Sequence, residues 1–573
     1  MKAVCRSYRV SSARAALGVG AAVLLSYAPS LEAQAQEQLV IRGAETLGDP
    51  VVGVPIDLDL RELPRVPIWI PGDPIREIPR RDSGDGQPID VAPKLDPLLE
   101  AQRRADIGAG VSTIEIQNFA GNSSTANPND PTGDIGMNYF IEAINGPGGS
   151  SVTVYNKTTG ALAVGPFSLD TLASSGVCMS GAGDPIVVYD HLADRWFLSE
   201  FSVSGNALCI YTSRTSDPVA GGWCAYSFVD TSFPDYPKYG VWPDVYTATA
   251  NQGNSPPVYA FDRVNMLSPD GTNCPTARPT QKTTGPGLPG LGFEAYTPVD
   301  LDGRPPPTGA PAYFMRHRDE ELNGDPGPSP TTDRLELWAL DVDFDTPGKT
   351  TFSQLPDVIV SDFDSNLCPP ISVFWCVPQP SGPNLDPLLE VIMYRISYRN
   401  FGAYETIIGV FQVDVGDFQD HSGERWFELR RTGGGAWSLY QEGTYSPDAE
   451  GRFMGMIAMD GLGNTLLAYN VSSTSVFPSI RYTGRAASAA LGTMSLPETT
   501  LAAGGGSNSS MRYGDYNQMG VDPEDDCTFW FLGMYNPSNK GVRIGAVGFE
   551  SCLPPFEDGF ESGDTSGWSQ VFP

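Results

Sequence analysis

Residues 183–201 read GDPIVVYDHLADRWFLSEF. An apolar run closes on Asp190, polar residues follow to Asp194, and a second apolar run led by Trp196 begins. Asp and Asn bond their own backbone in tight turns, so this spacing predicts two antiparallel strands joined by a hairpin. The arrangement returns in MGMIAMDGLGNTLLAYN (454–470) and GDYNQMGVDPEDDCTFWFLGMY (514–535), where Asp460 and Asp522 close the first run. Similar units can be drawn at 137–168, 240–262, 312–345 and 391–430. A weak repeat of this kind points to stacked sheets, and sheets repeated about an axis spare many antiparallel strands an open edge. The expected fold is therefore all-β, a β-propeller of about seven four-stranded blades, with β-sandwich domains as the alternative.

Composition agrees. Gly 63 and Pro 51 in 573 residues are too many for a helical protein. Lys2, Arg6, Arg9 and Arg14 precede an uncharged stretch at 15–28 and small residues at 33–35, the layout of a secretory signal at 1–35 cleaved after Ala35. The mature protein is thus expected to be secreted, in the extracellular space, at the cell surface or in the periplasm. Residues 36–108 are rich in proline, as in VPIDLDLRELPRVPIWIPGDPIREIPRRD (54–82). They read as an extended arm packed through Ile68, Trp69 and Ile70, with a flexible spacer as the alternative. The propeller is placed at 109–552 and an acidic, aromatic tail at 553–573.

A net charge of −32 argues against a nucleic-acid or anionic-membrane partner, and no later stretch is long and uncharged enough to span a bilayer. Part of the acid excess is expected to bind calcium. Asp134, Asp184, Asp244 and Asp515 each precede an apolar strand and are the metal candidates, facing the axis at one level; turn capping is the competing reading. No organic cofactor is expected, since the glycine-rich AAGGGSNSS (502–510) lacks the lysine of a phosphate loop.

Cys5 leaves with the signal, and the remaining cysteines suit disulfides in an oxidising compartment. Cys209 and Cys224 flank a turn and are expected to pair, as are Cys368 with Cys376 and Cys527 with Cys552; Cys178 and Cys274 then pair by elimination.

Several segments together carry a family resemblance. GDPIVVYDHLADRWFLSEF, YPKYGVWPDVYTATAN (236–251), LELWALDVDFDTPGKTTF (335–352), IMYRISYRNFGAYE (392–405), QEGTYSPDAEGRFMGMIAMDGLGN (441–464), FPSIRYTGR (477–485) and RYGDYNQMGVDPEDDCTFW (512–530) resemble secreted, largely uncharacterised bacterial proteins of the sialidase-like propeller superfamily. The resemblance implies a propeller over about 130–552 and carries no reaction with it. It also implies histidines where this chain has Tyr139 and Tyr404. DGFESGDTSGW (558–568) resembles a tail found on exported proteins, which implies processing or surface retention.

In a propeller the innermost strands line a channel whose mouth is the usual binding surface. Arg395, Arg399, Arg481, Arg512, Lys238 and Trp242 lie where charge sits beside aromatics, and are the ligand-binding candidates. Two readings follow. One is a non-catalytic propeller binding an extracellular polysaccharide or protein. The other is a sialidase-like hydrolase with Tyr398 as nucleophile, Glu405 as its partner and Asp515 as the acid. The second requires Arg395, Arg481 and Arg512 to meet in one pocket beside a Tyr–Glu pair. His191 in a turn and His421 in a polar loop, with no Gly-x-Ser-x-Gly segment, argue against a serine hydrolase.

Overall fold

The computed structural model describes residues 38–552 apart from 71–72, 74–75, 78–93, 106, 109–111, 125, 254, 289–294, 324–331, 369–374, 390, 418–419 and 539. The expected signal, with Cys5, and the tail at 553–573 lie outside the described residues. Innermost strands form at Thr132–Ile135, Gly183–Asp190, Asp235–Val241, Thr297–Asp302, Ile396–Asn400, Gly451–Met459 and Gln518–Val521. Each touches the innermost strand of the next blade, and that of blade 7 touches that of blade 1. Three further strands pair outward from each, mostly by antiparallel hairpins. This is a closed seven-bladed propeller, and each repeat read from the sequence falls in its own blade. The outermost strand of blade 7 is Thr113–Ala120, paired with Gly541–Phe549, so an early segment of the chain closes the ring. Apolar cores fill the spaces between neighbouring blades, as between blades 1 and 2, where Ile141, Val152, Val187 and Trp196 meet.

The arm does more than pack. Val40–Arg42 pairs with Thr351–Gln354 of blade 4, Glu45–Leu47 with Thr280–Thr284 of blade 3, and Val54–Ile56 with Trp223–Val229 of blade 2. Each adds an edge strand, a place where a proline such as Pro55 can turn its missing N–H to the unpaired side. Val66 N then donates to Pro166 O of blade 1 at 2.9 Å. Trp69 is buried, whereas Ile68 and Ile70 are exposed at 51% and 61%. Further on, Asp96 accepts from Arg425 of blade 5 at 2.9 Å, and the Gln102 side chain brackets Met494 of blade 6.

Disulfides join Cys178 to Cys209, Cys224 to Cys274, Cys368 to Cys376 and Cys527 to Cys552. The last two pairs agree with the sequence reading; Cys209–Cys224 and Cys178–Cys274 do not. On the paired strands Cys209 faces Ser227 while Cys224 faces Thr212. Cys209 and Thr212 are an odd number of residues apart, so the two cysteines point to opposite faces of the sheet. Four disulfides are the pattern of chains that fold in an oxidising compartment. Among the described residues no helix is long and apolar enough to cross a membrane.

Candidate functional site

The axial channel has charged groups at both ends. At the rim where the innermost strands begin, Asp130 and Asp184 meet Tyr236, Lys238, Arg512, Asp515 and Tyr516. Backbone irregularity aims these side chains. Register shifts break the inner ladders of blades 2 and 3 between Gly183 and Ile186 and between Asp235 and Lys238, and an extra residue in a strand redirects its side chains. Asp130, Asp184 and Tyr236 have φ of 41°, 52° and 53°, the left-handed region. Lys238 is 1% exposed, its Nζ makes no hydrogen bond, and it lies 2.9 Å and 3.7 Å from the ring centroids of Tyr516 and Tyr236. Tyr516 donates to Asp184, and Arg512 Nη2 donates to Asp515 at 2.7 Å. Burial and then the charges of Asp515 and Asp184 push the Asp130 carboxyl well up. Burial pushes Lys238 well down against the pull of Asp184, Asp130 and Asp515.

At the opposite rim, where the innermost strands end, a pocket of about 370 Å³ opens on the axis. Asp134, Tyr189, His191, Asp194, Asp302, Arg304, Arg395 and Asp526 supply its polar lining. Arg395 is its floor: it pairs with Asp300 and Asp302 and donates to Leu301 O at 3.2 Å. Burial lowers its proton affinity, but Asp300, Asp302 and Asp134 raise it by more. Asp134 accepts from Tyr189 N and Ile135 N, each at 2.8 Å, which ties blade 1 to blade 2. Burial pushes its carboxyl up to about 7, against Arg395 and those N–H groups. A Cβ at position 520 would stand 2.6 Å from Asp134 Oδ1 and 3.1 Å from Arg395 Nη1, so Gly520 leaves the room in which they approach. On the walls Tyr189 donates to Asp194, Ser397 to Asp302, and Arg399 to Asp526. His191 Nε2 donates to Gly303 O at 2.8 Å. Arg304 is exposed at the rim.

The residues singled out from sequence are thus dispersed. Arg395 lines this pocket and Arg399 braces its wall, but Lys238 and Arg512 belong to the other rim. Arg481 is on the third strand of blade 6, paired with Glu450 and Glu498 at 2.7 Å and 2.9 Å. Trp242 is core, its indole donating to Ala310 O at 2.8 Å and its ring against Tyr313 and Tyr398. Tyr398 does bond Glu405, but Arg431 caps that carboxylate inside blade 5, and Asp515 sits at the other end of the channel. The set required for a sialidase is not assembled.

Nor do the metal candidates share a level. Asp184 and Asp515 are at the first rim, Asp134 is at the second beside Arg395, and Asp244 is exposed in a blade 3 turn. The reason is topological: the first two precede or open an inner strand, Asp134 lies near the end of one, and Asp244 follows one. Among the described residues, Asp319, Glu321 and Asp333 of blade 4 bring three carboxylate oxygens within 4.8 Å of one another, and these residues could hold a cation.

Sequence reading missed Asp302, Arg304, Asp194 and Asp526 as pocket residues, and Asp130 and Tyr516 at the other rim. A signal existed for the first group. His191, Gly303–Arg304 and Asp526 occupy the same turn, the one after the innermost strand, in three blades.

No family model and no curated protein matches the chain. A protein of unknown function from Dyadobacter fermentans aligns at TM-score 0.33 and 11% identity over 76% of this chain and 99% of its own. An ulvan lyase from a polysaccharide lyase family aligns at 0.34 and 11% over 77% and 100%, and the Dos1 propeller at 0.34 and 8% over 76% and 95%. Likeness at this level says nothing of what the present chain binds; the propeller assignment stands on the ring of blades itself.

Proposed function

We propose that this protein is a secreted, non-catalytic propeller that holds a neutral carbohydrate in the 370 Å³ pocket. The observation behind this is the pocket's polar lining: four carboxylates, two guanidiniums, an imidazole and a phenol, most already held by a second partner. Sugar hydroxyls both donate and accept, so they match such a mixed and pre-organised set. The excess of carboxylates disfavours an anionic ligand. In the Tyr189–Asp194 pair, burial and then the hydrogen bond to Asp194 raise the phenol, so it stays protonated as a hydrogen-bonding group of the wall.

One observation favours a glycoside hydrolase instead. Asp134, at about 7, is in the range of a general acid. Both its oxygens accept backbone N–H groups, which is the reason for preferring an anchoring role.

A screen of neutral and acidic polysaccharides with the 36–573 protein, followed by calorimetric titration, tests the proposal. Arg304→Ala and His191→Ala are expected to weaken binding of a neutral hit roughly tenfold with an unchanged Tm. Absence of any carbohydrate binding overturns the proposal. Release of reducing ends that is lost in Asp134→Asn replaces it with hydrolysis.

A further inference from the structure

The pocket rim continues outward over blade 5. Arg304 Nη1 stands 3.7 Å from where a Cβ of Gly402 would lie, and Asn400 Nδ2 donates to Pro305 O at 2.8 Å. In the same turn Phe401 and Tyr404 stack, with centroids 5.0 Å apart and planes 19° apart. The guanidinium of Arg430 lies 4.3 Å from the ring centroid of Tyr404 and 3.4 Å from that of Tyr440. Phe401, Tyr404, Arg430 and Tyr440 therefore form one array of planar groups that starts beside the pocket and ends on the outermost strand. Strand direction confines it to the pocket's face: Ile396–Asn400 ends there, Glu405–Asp414 begins, Ser422–Arg431 ends and Ser438–Tyr445 begins.

Three physical features make the array a surface for a ligand. Its outer end is open, with Tyr440 39% exposed, while Phe401, Tyr404 and Arg430 are half-buried, and stacking and the Glu428–Arg430 ion pair hold the four in place. Rigid aromatic groups give contact area at little entropic cost on binding. The charge of its one ionic member, Arg430, is paired with Glu428. The array is also long, since crossing from the first to the fourth strand takes three spacings of about 4.8 Å, roughly 14 Å in all. The turn beyond it is unobstructed, with nothing within 4 Å of a Cβ built at Gly433 or Gly434.

We propose that this array continues the axial pocket and receives successive units of a neutral polysaccharide, so that the ligand is a polymer chain and not a mono- or disaccharide. The proposal rests on the reading of the pocket as a carbohydrate site. Calorimetric titration of the full chain with cello-, xylo-, malto- and arabino-oligosaccharides of two to six units tests both. In the series that binds, affinity is expected to rise about tenfold from the disaccharide to the hexasaccharide. Tyr440→Ala is expected to bring the hexasaccharide down to the level of the disaccharide with Tm unchanged, and Tyr440→Phe to retain most of the gain. A disaccharide bound as tightly as the hexasaccharide, or a gain that survives Tyr440→Ala, overturns the array and leaves the pocket standing. If no series binds, the pocket reading falls and this one with it.

Discussion

Glu424 is fully buried on blade 5, with the amide of Gln412 donating to one oxygen at 2.7 Å. Burial pushes its carboxyl up to about 8. The folded chain therefore keeps a proton that the unfolded chain releases above about 4.3, so this group's contribution to stability falls as pH rises from there toward 8. Glu424→Gln is expected to remove a loss on the order of 3 kcal/mol between pH 5 and pH 8, seen as a higher Tm at pH 8 and little change at pH 5. An equal shift at both pH values would assign the effect to packing. Arg481 bridges Glu450 and Glu498 and is partly exposed. Its replacement by alanine is expected to cost about 1–2 kcal/mol of stability, less than a fully buried pair, and to leave carbohydrate affinity as it was. Lost affinity in a fully stable Arg481→Ala protein would return this residue to the binding surface.

At the scale of elements, Cys224–Cys274 joins the outermost strand of blade 2 to the loop before the outermost strand of blade 3. Non-reducing peptide mapping is expected to recover Cys224 with Cys274 and Cys178 with Cys209. The Cys224→Ser, Cys274→Ser protein should lose about 2–5 kcal/mol, and a Cys209–Cys224 peptide would overturn the pairing. The arm strands cover the outer edges of blades 2, 3 and 4. Exposed edges invite pairing with other chains, so deletion of 38–57 is expected to lower Tm and produce concentration-dependent aggregation. A monomeric deletion protein with the parental Tm would reduce the arm to a spacer. The arm's prolines announced extended chain, but not that it pairs, because a strand's partners lie hundreds of residues away.

For the whole molecule, burial raises more carboxyls than ion pairing lowers. Asp134, Glu142 and Asp333 rise to about 7 and Asp319, Asp364, Asp414 and Asp460 to about 6, while Asp230 falls to about 2. The raised groups lose stability as pH climbs from about 4 to 7, and the lowered group loses its share only below about 4. A net charge of −32 adds self-repulsion that grows over the same range. Tm is therefore expected to peak near pH 4 and to decline steadily toward pH 8 in a calorimetric series. A maximum at pH 7 or above would contradict these shifts.

The amino-acid sequence by itself determined the blades. The apolar runs closed by Asp190, Asp460 and Asp522 and reopened by Trp196, Thr465 and Thr528 are local patterns, and local hydrogen bonding and side-chain alternation decide a hairpin. Cys368–Cys376 was legible for the same reason, being only 8 residues apart. The tertiary structure alone decided which residues share a site. Lys238 and Arg395 look equivalent as cations beside aromatics, yet ring closure and strand direction send one to each end of the channel. Strand register put Cys209 and Cys224 on opposite faces and took Arg481 into a structural ion pair. Those outcomes depend on pairings between distant segments, which periodicity along the chain does not encode.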